Sequence, residues 1–183
     1  MHRVGWRGKQ NAIGVNTLTL RIAFYKGLEG LQHKIINWYT KSIYTHAELI
    51  LPGGRVIGIS PFKTAVVEES DGDEEYTPRE WDIISITITE DELIDLEFFF
   101  LSTVGDKYDW AGMILTYLTP FSVRRENRWY CSQWIAHALS HAGVLRDVHN
   151  YKNLSPGKLY ELVEEIEDIN DGKDWLLLHR RGH

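Results

Sequence analysis

Cys131, the only cysteine of the chain, is the residue whose setting most suggests chemistry. It stands in Trp129-Tyr130-Cys131-Ser132-Gln133-Trp134-Ile135-Ala136, where an irregular stretch hands over to an apolar segment of helical character. A sulfur at such a junction meets the unpaired N–H groups and the positive end of a helix, which favour the thiolate. The same N–H groups can receive the oxyanion of a tetrahedral intermediate, so one placement supplies a nucleophile and part of its transition-state stabilisation. The competing reading is a small buried apolar side chain near a helix cap.

A cysteine nucleophile needs a base, and of the eight histidines only His46 falls inside a predicted strand. In Thr45-His46-Ala47-Glu48-Leu49-Ile50-Leu51, alternation puts Ala47, Leu49 and Leu51 on one face and His46, Glu48 and Ile50 on the other. An imidazole with a carboxylate on its own side is a general base with an orienting partner. Against this stands a structural histidine beside a surface glutamate. His137 and His141, one helical turn apart, raise the question of a metal, but there is no HExxH signature and no metal or other cofactor is expected.

The elements that must position these groups follow from periodicity. Residues 18–25 alternate as a first strand, broken by Gly27, and residues 28–39 have helical spacing with Leu28, Leu31, Ile35, Trp38 and Tyr39 suited to one buried face. Residues 45–51, a Pro52-Gly53-Gly54 turn and residues 55–60 read as a hairpin. Residues 64–68 and 82–88 predict two more strands, with the acidic residues 68–75 as a solvated loop between them. Thr89 suits the N-cap of a helix over residues 90–104, stopped by Gly105; its run 93–101, interrupted by Asp95 and Glu97, reads as amphipathic. Residues 108–117 predict a short helix ended by Pro120, and residues 131–142 a helix closed by Gly143. Ser155-Pro156 opens another to about residue 166, before a polar turn and the short apolar stretch 175–178. With no repeat or linker, this order predicts one α+β domain over residues 1–183, residues 1–16 being an N-terminal extension.

Composition narrows the function classes. A chain of 183 residues, 43% of them hydrophobic, can bury an ordinary core without metal or disulfide, and one cysteine can form no internal disulfide. The net charge of −6 gives no general attraction to phosphate backbones, despite the local cluster Arg124, Arg125 and Arg128, so nucleic acid is not an expected partner. Residues 1–16 hold no apolar stretch of signal-peptide length and nothing later approaches a membrane span. The expectation is a protein made in the cytoplasm, kept there, carried in a virion or released by lysis, with no integral membrane segment.

Three motifs taken in order carry a resemblance. Tyr44-Thr45-His46-Ala47-Glu48-Leu49 with its glycine turn and returning strand comes first, then Gly105-Asp106-Lys107-Tyr108-Asp109-Trp110-Ala111-Gly112, then Tyr130-Cys131-Ser132-Gln133. This series resembles the permuted NlpC/P60 papain-like superfamily over about residues 18–143. It is most similar to the YiiX/YebB-like branch and related phage-encoded proteins, with lecithin:retinol acyltransferase as a distant relative. In the ordinary arrangement the histidine strand follows the cysteine helix; here it lies upstream, which is the permuted order. The resemblance implies a papain-like α+β fold, with a small antiparallel sheet packed against helices. It further implies Cys131 as nucleophile, His46 as base and Tyr108 as the tyrosine whose hydroxyl lies near the nucleophile and assists the oxyanion site. The chain departs from the family at the third catalytic member, whose usual positions are Gly58 and Ser60 here. Glycine cannot orient an imidazole and serine is a weak neutral acceptor, so Glu48 ranks first and Ser60 second.

The leading expectation is therefore a thiol hydrolase that cleaves an amide through an acyl-enzyme, and the resemblance implies a cell-wall substrate, the peptidoglycan stem peptide. Two other classes stay open. One is a lipid amidase or acyltransferase of the same fold, which an apolar groove or exposed amphipathic face would betray. The other is a non-enzymatic virion or binding module that keeps the cleft as architecture and meets protein partners through its terminal arms, residues 1–16 and 179–183.

Overall fold

The computed structural model describes residues 9–10, 16–59, 67–70, 76–118, 126–145 and 154–170. The chain is a mixed α+β structure in which an antiparallel sheet is covered by helices. Strands β2 (Asn16–Tyr25), β3 (His46–Ile50), β4 (Val56–Ile59), β5 (Val67–Ser70) and β6 (Trp81–Thr89) lie in the order β6-β2-β3-β4-β5. A short β1 (Lys9–Gln10) pairs with the start of β2. Within the expected N-terminal extension, residues 1–16, Lys9 and Gln10 thus give the backbone groups of Thr17 and Asn16 strand partners.

Strand β2 is the spine. Its alternation buries Leu20, Ile22 and Phe24 on one face, where they meet Leu49, Ile84, Ile86 and the helices. The hairpin between β3 and β4 turns at Gly53 and Gly54, both at positive φ, as the sequence predicts. The strand expected over 64–68 is observed as β5, so Glu68 and Glu69 belong to a strand paired with Gly58 and Ile57 rather than to the solvated loop; residues 64–66 and 71–75 lie outside the described residues. Pairing with an already formed hairpin edge outweighs the poor strand propensity of two glutamates.

Helix α2 (Glu90–Thr103) starts where predicted: the Thr89 hydroxyl accepts from Glu92 N–H, and the Glu92 carboxylate accepts from Thr89 N–H, a reciprocal cap. Tyr108 is not helical. It sits in β7 (Lys107–Tyr108), parallel to β8 (Arg128–Trp129), and α3 (Trp110–Leu118) begins only after Asp109, whose carboxylate caps it by accepting from Gly112 N–H at 2.9 Å. The long-range pairing overrides the local helical spacing, and Pro120 falls outside the described residues. Helix α4 (Cys131–His141) is the central helix, buried along most of its length. Trp134 is fully enclosed and donates its indole N–H to Thr103 Oγ1 at 2.9 Å, tying α4 to α2. Helix α5 (Pro156–Asn170) packs on β6 and stacks Tyr160 on Tyr44; the apolar residues 175–178 are outside the described part.

The largest departure is helix α1 (Leu31–Thr40). Its buried apolar residue is Ile36, while Leu31 (73% exposed) and Trp38 (75% exposed), with Leu28 and Ile35, face solvent. The face expected in the core is therefore turned outward, because the inner face is taken by His33 and Ile36 against the β2–β3 end of the sheet. Nothing is described of the Tyr39 side chain.

Candidate active site

Cys131 is the first residue of α4, preceded by Tyr130 in extended conformation, so its sulfur stands at the N-terminal end of the most buried helix. The thiol is 2% exposed and lies against the start of β3, within hydrogen-bonding reach of the His46 imidazole and of the backbone N–H groups of Ala47 and Ser132. Burial pushes a thiol up. Here the His46 charge, its hydrogen bond and the two N–H groups outweigh burial and hold Cys131 below the ordinary thiol value.

His46 opens β3 with its side chain on the same side as Glu48, and Glu48 Oε1 lies 3.3 Å from His46 Nε2. That leaves Nδ1 as the nitrogen for the sulfur. Burial alone would lower the imidazole, but the Cys131 and Glu48 charges and hydrogen bonds on its two sides raise it to about 10. A thiol shifted down beside an imidazole shifted up, with a carboxylate on that imidazole, favours the thiolate–imidazolium form of the pair.

Same-strand neighbours do reach the correct ring nitrogen, and the reason lies in β4. The β3–β4 register sets Gly58 beside Glu48, and a Cβ built at Gly58 would stand 3.5 Å from Glu48 Oε1. The absence of a side chain at Gly58 leaves the Glu48 side chain lying alongside β4. Ser60, the other candidate, lies outside the described residues.

Tyr108 is buried beside this pair. Burial and the nearby Cys131 charge keep its hydroxyl protonated, and in this structure it donates to Met113 Sδ at 3.3 Å. Its placement follows from the parallel β7–β8 pairing, which sets Tyr108 opposite Trp129, two residues before Cys131. His137 meets Trp129 edge-on, and His141 stacks on Phe98 and lies tilted against Phe99.

Three contributors were not legible in the sequence. Tyr76 donates its hydroxyl to Glu48 Oε2 at 3.1 Å. Trp81 packs between Tyr25 and Tyr76 and turns toward the His46 ring, because Tyr25 pairs with both His46 and Trp81 across neighbouring strands. His33, on the inner face of α1, lies 2.9 Å from Thr45 Oγ1 through Nδ1. Burial, and then the His46 charge, lower its pKa, so it is neutral beside the charged pair. With Tyr25, Glu29, Glu48 and Trp81, the two histidines line an open recess of about 320 Å³. The cross-strand register that assembles this wall is a long-range property with no local signature.

No protein-family model matches the chain, and no curated protein matches it in sequence. Among the described residues no helix is long and apolar enough to cross a membrane.

Proposed function

We propose that this protein is a cysteine hydrolase of the permuted papain-like NlpC/P60 type, cleaving an amide bond through an acyl-enzyme. The observation that carries the reading is the Cys131–His46 contact at the N-terminus of α4, with Glu48 on the far imidazole nitrogen. The permuted motif order supports the same class.

In this reaction the Cys131 thiolate adds to the substrate carbonyl carbon, and the oxyanion is received by N–H groups of the first turn of α4. Collapse of the intermediate breaks the C–N bond, and the His46 imidazolium delivers its proton to the departing amine. The neutral imidazole then deprotonates a water, which attacks the thioester; the acid leaves and the thiolate–imidazolium pair is restored. Glu48 holds the imidazole ring and stabilises its cationic form throughout, as the carboxylate of a triad does. The substrate class rests on the resemblance alone: a cell-wall stem peptide.

The test is digestion of purified muropeptides, followed by mass spectrometry of the products. New amine and carboxylate ends are expected with the wild type and none with Cys131→Ala. Alkylation of Cys131 as a function of pH, in wild type and His46→Ala, tests the ion pair independently of any substrate. A thiol that titrates identically in the two proteins refutes the pair.

A further inference from the structure

An amphipathic helix that turns its apolar face away from the core needs something else to cover that face. On α1 the outward residues Leu31, Ile35 and Trp38 recur at helical spacing, and Leu28 before the helix and Ile43 after it continue the patch, each between 45% and 75% exposed. The charge on this patch is net positive. Residues 28–43 carry Lys34 and Lys41, both exposed, against a single carboxylate, Glu29 at the N-terminal edge, in a chain whose formal charge is −6.

The contrast with α2 shows that exposure alone does not define the partner. That helix also shows an apolar stripe to solvent, Ile94, Phe98 and Leu101, but Glu90, Asp91, Asp95 and Glu97 surround it. An anionic surface would repel α2 and attract α1. Apolar side chains that include an exposed tryptophan, framed by lysines, are the composition of a helix lying in a lipid–water interface.

We propose that the outer face of α1 docks on an anionic lipid bilayer, Leu31, Ile35 and Trp38 entering the headgroup–acyl boundary while Lys34 and Lys41 meet the lipid phosphates. The inner face of the same helix presents His33 to the recess beside His46. Docking therefore leaves one helix, α1, between the lipid surface and that recess. The inference does not depend on the hydrolase reading, since it rests on the outer face only.

The experiment is co-sedimentation of the full chain with vesicles of phosphatidylcholine alone and of phosphatidylcholine with one-third phosphatidylglycerol, at low and moderate salt. Binding is expected to the anionic vesicles, at least tenfold weaker to the neutral ones, and reduced by salt. Leu31→Glu and Trp38→Glu should each lower binding at least tenfold, and Lys34→Glu with Lys41→Glu should abolish the preference for anionic lipid. Leu101→Glu on α2 should leave binding unchanged, and far-UV circular dichroism establishes that each variant is folded. Absence of sedimentation with either vesicle overturns the proposal, as does equal binding to both. A dimer in analytical ultracentrifugation that Trp38→Glu converts to monomer also overturns it, because the face would then cover a second copy of the chain.

Discussion

Tyr76 donates its hydroxyl to Glu48 Oε2 at 3.1 Å, while the other oxygen of that carboxylate faces His46 Nε2 at 3.3 Å. One glutamate is held from two sides, by a phenol outside and an imidazole inside. Removing the phenolic hydroxyl should loosen the carboxylate without touching the reacting atoms. Tyr76→Phe is expected to lower kcat about fivefold, matching the roughly 1 kcal/mol of one such hydrogen bond, with little change in KM. The pH profile of Cys131 alkylation should move toward higher pH in the same variant, which a purely structural role would not produce.

Glu48 and Ser60 can be told apart directly. Glu48→Gln keeps shape and hydrogen-bonding capacity but removes the charge that helps hold the imidazole at about 10. A fall in kcat on the order of tenfold or more is expected, together with an imidazole that titrates lower by NMR. Ser60→Ala should leave both readings unchanged. The reverse pattern would make Ser60 the third member.

The pH dependence follows from the two shifts. Cys131 lies below the ordinary thiol value, so alkylation should reach its plateau at lower pH than that of a free thiol and decline as acid protonates the pair. The imidazolium persists until about pH 10, so turnover, which needs its proton for the leaving amine, should fail on the alkaline side near that pH while alkylation does not. In His46→Ala the burial that raises the thiol remains and the largest opposing cause is gone. Labelling at pH 6.5 should then slow by at least roughly tenfold.

Two glycines make opposite predictions about stability. A Cβ at Gly112 would stand 2.1 Å from Asp109 Oδ2, the carboxylate that caps α3, whereas at Gly58 the nearest atom is Glu48 Oε1 at 3.5 Å, an ordinary contact. Gly112→Ala should cost about 1–3 kcal/mol and lower the melting temperature by several degrees. Gly58→Ala should stay within about 0.5 kcal/mol, read in the same thermal melts. Equal losses would mean that the cap of α3 does not constrain Gly112.

Removing the N-cap of α2 gives a second stability check away from the site. Thr89→Ala loses the hydroxyl that accepts from Glu92 N–H and donates to Glu92 Oε2, while the backbone N–H of residue 89 remains for that carboxylate. A loss of about 1 kcal/mol in urea titration is expected, with Cys131 reactivity unchanged.

Much of this molecule follows from short-range chemistry. Alternation places His46 and Glu48 on one side of a strand, the change from an irregular to an apolar segment puts Cys131 at a helix start, and Thr89 with Glu92 announces a cap. These are readable because they depend on bonds and torsions within a few residues. What only the tertiary structure decided is where those pieces face. Tyr108 looks helical until a strand about twenty residues later takes its backbone; Trp81 joins the site through pairing across β2, and Tyr76 by packing on Trp81 and bonding to Glu48. The periodicity of α1 reveals an apolar face but not its environment, since burial depends on which side the rest of the chain leaves open. Here the sheet accepted His33 and Ile36 and left Leu31 and Trp38 outside.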